Sequence, residues 1–174
     1  MKILLPALVS VAAMISQVWA GEEAFHPGGL IPDFGRVAPI ADARLGPQTE
    51  MKIAYDIAEA GSEDAINRRI ETAARFLNMH FDAGVPAENM KVAIVVHGKA
   101  SSDLLTAGAR GATNPNEALI AALIEQGVTI ELCGQSAAYY DIAAEDLLPG
   151  VTMALSAMTA HVLLQQQGYA LNPF

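Results

Sequence analysis

From residue 51 onward the chain switches between two hydrophobic periods. Met51, Ile53, Tyr55 and Ile57 alternate with Lys52, Ala54 and Asp56, the period-two signature of a strand. Glu59 to Gly61 ends that strand. Ser62 is expected to cap a helix with Glu63 and Asp64 in its first turn, and Ile66, Ile70, Ala73, Leu77 and Phe81 follow at helical spacing until Gly84 and Pro86 stop it. Val92–Val96 is a continuous apolar run, as in a central strand covered on both faces. A helical segment is expected after Gly98, fading near Gly108 or Gly111. Asn114 and Pro115 announce another helix, with Glu117 placed to close a capping box and Leu119, Ile120, Leu123 and Ile124 as its buried stripe.

Gly127 closes that helix, and Val128, Ile130 and Leu132 alternate with Thr129 and Glu131 in a third strand. Gly134 breaks the strand, and Ser136 is placed to cap a helix reaching Asp141. A short turn is expected over 143–148. Val151–Leu155 reads as a fourth strand, Ser156 caps a helix ending at Gln167 before Gly168, and Tyr169–Leu171 reads as a fifth strand. Five strands alternating with helices imply right-handed crossovers and a mainly parallel sheet with helices on both faces.

Residues 1–50 belong to neither period. Lys2, an apolar stretch from Ile3 to Ile15 and the small residues Val18 and Ala20 form the pattern of a secretory signal peptide cut before Gly21. The stretch is short for a membrane span, so no membrane insertion is expected after cleavage, and the mature protein is expected to be periplasmic or secreted. Residues 21–50 carry repeated Pro and Gly and no apolar period. They read as an extended arm that runs over the domain surface or reaches a neighbouring subunit. The regular domain covers 51–174.

Charge narrows the function. Ten Lys and Arg against 19 Asp and Glu give a net charge of -9, which disfavours nucleic acid and anionic lipid as partners. The single cysteine, Cys133, excludes an intramolecular disulfide framework and a multi-cysteine zinc site. It stands where a strand ends and a helix begins. At that edge of an open α/β sheet, ligands bind and backbone N–H groups favour a thiolate. It reads either as a reactive sulfur or as a small buried residue closing a strand.

His97 ends its own strand in the same way, and Glu59 and Ser156 also fall just past strand ends. Lys99 or His97 would favour a Cys133 thiolate if strand order brings them close. The N–H groups of Gly134, Gln135 and Ser136 are candidate anion ligands. A metal set of Cys133, His97 and His161 is a further possibility, although helix packing is the commoner role for a histidine beside Val162 and Leu163. The run Gly98–Ser101 lacks the glycine spacing of a phosphate loop, and no cofactor is expected.

Several short motifs resemble one family. Val95-Val96-His97-Gly98, Asn114-Pro115-Asn116-Glu117, Leu132-Cys133-Gly134-Gln135-Ser136, Leu147-Leu148-Pro149-Gly150, Ala154-Leu155-Ser156-Ala157 and the tail from Gln167 to Phe174 resemble the exported branch of the DsrE/DsrF-like family over residues 51–174. The resemblance implies a flavodoxin-like three-layer α/β/α sandwich and a homo-oligomer. For some cytoplasmic relatives it implies a cysteine that carries sulfur as a persulfide, a role only Cys133 can take here. The expected function is sulfur handling with an unidentified donor or acceptor protein. The alternative is a non-catalytic oligomeric scaffold or small-ligand module.

Overall fold

The computed structural model describes residues 21–43 and 45–172, so the expected signal peptide over 1–20 lies outside the described residues. Five strands form one sheet: β1 (Met51–Ile57), β2 (Met90–Val96), β3 (Thr129–Cys133), β4 (Thr152–Ala154) and β5 (Ala170–Asn172). Their order is β4-β3-β2-β1-β5, and every neighbouring pair is parallel. The helices are α1 (Arg68–Asp82), α2 (Ala107–Arg110), α3 (Glu117–Glu125), α4 (Gly134–Tyr140) and α5 (Ala157–Gln166). This is the expected α/β architecture, with β2 at its centre.

Strand alternation sorts the side chains into two layers. Tyr55, Ile57, Ile94, Val96, Ile130 and Leu132 face α1 and α3, where they meet Ile70, Leu77, Leu119 and Leu123 in the larger core. Ala54, Ala93 and Val95 face the other way, against Ala160 and Leu164 of α5. The small side chains let α5 lie close to the sheet. Asp56 lies on the same face of β1 as Ala54 and meets His161 of α5.

Several element starts differ from expectation. Helix α1 begins after Asn67, whose Oδ1 accepts from the Arg69 N–H at 2.9 Å; Ser62 is not its cap. The residues before Asn67 form a loop held by Asp103, whose Oδ2 accepts from the Gly61 N–H and from Asn67 Nδ2, each at 2.8 Å. Helix α3 likewise begins at Glu117 rather than at Pro115. The Asn114 side chain is engaged elsewhere: Nδ2 donates to the carbonyls of Asp103 and Leu105, and Oδ1 accepts from the Asn116 N–H. Asn116 Oδ1 in turn accepts from the Asn67 N–H at 2.6 Å. Local cap signals were outcompeted by a buried polar network joining three loops.

The arm runs over its own domain. His26 and Val37 bridge each other, Ile31 and Val37 are buried, and the arm lies on α1. Asn78 of α1, wholly buried, holds it: Oδ1 accepts from the N–H groups of Leu30 and Ile31, and Nδ2 donates to the carbonyls of Ile31, Phe34 and Gly35. Gly35, at φ 65, packs against the backbone of Ala74 and Arg75 with no room for a Cβ.

Candidate functional site

Cys133 is the last residue of β3, and α4 starts immediately after it, so the strand turns into the helix at the sulfur. The residue is only 6% exposed. Burial by itself raises a thiol pKa; here it is outweighed by donors around the sulfur, namely the N–H groups of Ser136, Ala157 and Gln135 and the Ser136 hydroxyl, and the net shift is downward. Two of those amides belong to the first turn of α4 and one opens α5. The sulfur is therefore buried among hydrogen-bond donors rather than in purely apolar packing.

Ser136 is not the cap of α4, as expected from sequence, but its third residue. Its Oγ accepts from the Gly98 N–H at 3.0 Å. The hydroxyl thus links the loop after β2 to the sulfur at the end of β3. Ser156 does cap its helix, accepting from the Thr159 N–H at 3.0 Å, and so fixes the α5 turn whose Ala157 amide reaches Cys133.

Strand order brings His97 beside Cys133. β2 and β3 are neighbours with Val96 opposite Leu132, and continuing that register sets His97 opposite Cys133 across strands about 4.8 Å apart. Both share the α5 face of the sheet. Asp56, two residues above Ala54 on that face of β1, was not singled out by sequence. Its Oδ1 lies 3.2 Å from His97 Nε2 and 2.7 Å from His161 Nε2. The available signal was a carboxylate near the end of a strand whose α5-facing neighbours in the sheet are small and apolar.

These groups line one open cavity of about 490 Å³: Asp56, His97, Cys133, Gln135, Ser136, Ser156 and His161, with Ala157, Met158 and Leu171 as its apolar wall. Gln135 Nε2 donates to the Leu155 carbonyl at 3.3 Å. Three expected residues fall elsewhere. Lys99 is exposed in the 3-10 turn Gly98–Leu104 and does not line the cavity. Glu59 is also outside it; its carbonyl accepts from Asn67 Nδ2. Gly134 is not among the donors on the sulfur and instead provides backbone clearance: a Cβ there would stand 2.6 Å from the Ala154 carbonyl oxygen.

Among the described residues, no group of three or more His, Cys, Asp or Glu is spaced to hold a metal ion. A second cavity, of about 250 Å³, lies between the arm and α1 and has a mostly apolar lining. Its histidines, His26 and His80, each place Nδ1 at 2.8 Å from a backbone carbonyl, and among the described residues lining it there is no Cys, Ser, Thr or Lys.

The DsrE/DsrF-like family model matches residues 51–173, all but the last residue of the regular domain. The chain belongs to the DsrE/DsrF-like family. Two solved structures share its fold. One is a protein of unknown function, MTH1491 from Methanobacterium thermoautotrophicum, at 18% identity and a TM-score of 0.57, covering 72% of this chain and 100% of that one. The other is the ychN protein from E. coli, at 14% identity and a TM-score of 0.56, covering 71% and 99%. No curated protein sequence matches the chain. Within this DsrE/DsrF-like domain, the cavity stands at the carboxyl ends of β1, β2 and β3, the edge where open parallel sheets bind ligands.

Proposed function

We propose that this protein handles sulfane sulfur, with Cys133 accepting it as a persulfide and passing it to a partner. Membership of the DsrE/DsrF-like family points to sulfur relay. The observation that carries the reading to this residue is the set of four donors on a sulfur that opens onto a cavity. Such donors favour the thiolate, the nucleophilic form, and stabilise the same anion when it departs.

Loading is attack of Cys133 thiolate on the outer sulfur of a donor persulfide, with the donor leaving as its thiolate. Delivery is the reverse: an acceptor thiolate attacks the outer sulfur of Cys133–S–SH, the S–S bond breaks, and its electron pair returns to the Cys133 sulfur. The sulfane sulfur moves without net oxidation, so the step needs no second cysteine. Loaded protein is expected to convert cyanide to thiocyanate, and Cys133→Ser to lose this entirely. A Cys133→Ser protein that still binds a small ligand, beside a wild type that transfers no sulfur, would make the chain a binding module.

The carrier is proposed to act after export, as a homo-oligomer. One helix, α5, covers the second face of a five-stranded sheet and leaves Met158, Val162 and Leu163 exposed, with Leu155 exposed just before it. A parallel sheet is ordinarily covered on both faces. A chain of net charge -9 repels its own copy except through uncharged surface, and α5 contains no Asp, Glu, Lys or Arg. Light scattering of the exported protein is expected to give a multiple of the chain that starts at Gly21. A monomer at micromolar concentration, or a chain still beginning at Met1, would contradict the corresponding part.

A further inference from the structure

The Asp56 carboxylate, with a third of its side chain exposed, is a charged group at the edge of the α5 layer formed by Ala54, Ala93, Val95, Ala160 and Leu164. What matches it is a pair of imidazoles meeting at one oxygen. A carboxylate offers only acceptors, so His161 Nε2 donates its proton to Asp56 Oδ1, and the approach of His97 Nε2 to 3.2 Å from the same oxygen favours the tautomer with the proton on that nitrogen. In each neutral ring the other nitrogen, Nδ1, is then the bare one. His161 Nδ1 is buried without a hydrogen-bond partner, while His97 lines the cavity with a third of its side chain exposed. Of the two, His97 is the ring whose free nitrogen solvent and a thiol can reach.

The second contact does a different job. His161 is one turn along α5 from Ala157, so the two share a helix face with Cβ atoms about 5–6 Å apart. The Ala157 N–H is one of the donors on Cys133. Anchoring His161 to Asp56 at 2.7 Å therefore ties the first turn of α5, with that amide, to the sheet edge.

We propose that Asp56 is the positioning residue of the thiol site, holding His97 as a base with Nδ1 free for the Cys133 proton and clamping α5 onto the sulfur through His161. The proton leaves Cys133 for His97 Nδ1, and the resulting imidazolium stands between the thiolate and the Asp56 carboxylate. When an acceptor thiol enters, its proton takes the same path before its thiolate attacks the persulfide. Besides Cys133, the titratable groups lining the cavity are Asp56 from β1, His97 after β2 and His161 from α5. Glu131, on the same face of β3 two residues before Cys133, and Lys99 lie outside it.

This inference rests on the reactive-thiol reading of Cys133, and its test is independent of sulfur loading. The rate of iodoacetamide alkylation is followed against pH in folded wild type, Asp56→Asn, His97→Gln and the double variant. Wild type is expected to alkylate with an inflection below that of an ordinary thiol. Asp56→Asn is expected to move the inflection up and to slow the reaction at pH 7 by about tenfold, the factor for one pKa unit. The double variant is expected to be slower than His97→Gln only by the smaller factor that His161→Gln shows against wild type, because Asp56 acts through His97 and His161 alone. His161→Gln, which leaves Asp56 and His97 in place, is expected to shift the profile the same way by less, and it serves if Asp56→Asn does not fold. An unchanged inflection in Asp56→Asn or, failing that, in His161→Gln, or multiplicative losses in the double variant, would overturn the proposal. An Asp56-dependent profile in a protein that never loads sulfur would sink the carrier and keep the positioning role; loading with an Asp56-independent profile would do the opposite.

Discussion

Asn78→Ala is expected to destabilise the protein by about 3–5 kcal/mol and to release the arm from α1. The side chain is wholly buried and makes five hydrogen bonds to arm backbone. Truncation leaves two N–H groups and three carbonyls facing a small void, and each buried group left unpaired costs roughly 1–3 kcal/mol. The full sum is not reached, because the arm can lift and recover water for those groups at the cost of exposing Ile31 and Val37. Denaturant titration measures the loss, and limited proteolysis locates it: new cleavage is expected within 21–50. The arm lies on the α1 face and Cys133 on the α5 face, so alkylation of Cys133 in the still-folded variant is expected to stay at the wild-type rate. A stability within experimental error of wild type, with no new cleavage, would show that the arm is not held through Asn78.

Gly134→Ala is expected to act on the site itself. Gly134 is not among the glycines at positive φ, so an alanine meets no conformational penalty there. Its Cβ, however, would lie 2.6 Å from the Ala154 carbonyl oxygen and 3.1 Å from that of Leu155. Both contacts are backbone, which cannot rotate away as a side chain would. The first turn of α4 must move off β4, and the Gln135 and Ser136 amides leave the sulfur with it. Overpacking of this kind costs about 1–3 kcal/mol. The expected result is a folded protein with lower melting temperature and a Cys133 that alkylates more slowly at pH 7 than wild type. Wild-type reactivity in this variant would mean that the α4 amides do not set the thiolate.

The strands and helix faces were readable because each is written in a short stretch of sequence. Val92–Val96 needed no partner to be recognised as a central strand, and Cys133 needed only the glycine after it to be placed at a strand end. The site was readable in part. His97 and Cys133 were each placed at a strand end, but their adjacency depends on β2 pairing with β3, which no local pattern encodes. Asp56 was hidden for a related reason: in the alternation of β1 it falls with Lys52 among the polar positions. Only the packing of α5 over Ala54 turns that face into a site.

Ser136 shows the limit of cap rules. A serine shortly after a strand break is a fair cap, yet its hydroxyl serves Gly98, 38 residues away in sequence. Asn67 and Asn78, which no local pattern marks, carry the start of α1 and the docking of the arm through their side-chain amides. Lys99 was a candidate thiolate partner on condition that strand order brought it close, and the turn after β2 carries it to the surface.

The central claim is that Cys133 holds a transferable sulfur. Intact-mass spectrometry of the protein, purified without reductant and then exposed to a polysulfide donor, tests it most directly. The account predicts a species heavier by one sulfur atom, mapped to the Cys133 peptide, removed by cyanide and absent from Cys133→Ser. A folded wild-type protein that keeps its unmodified mass under those conditions would contradict it.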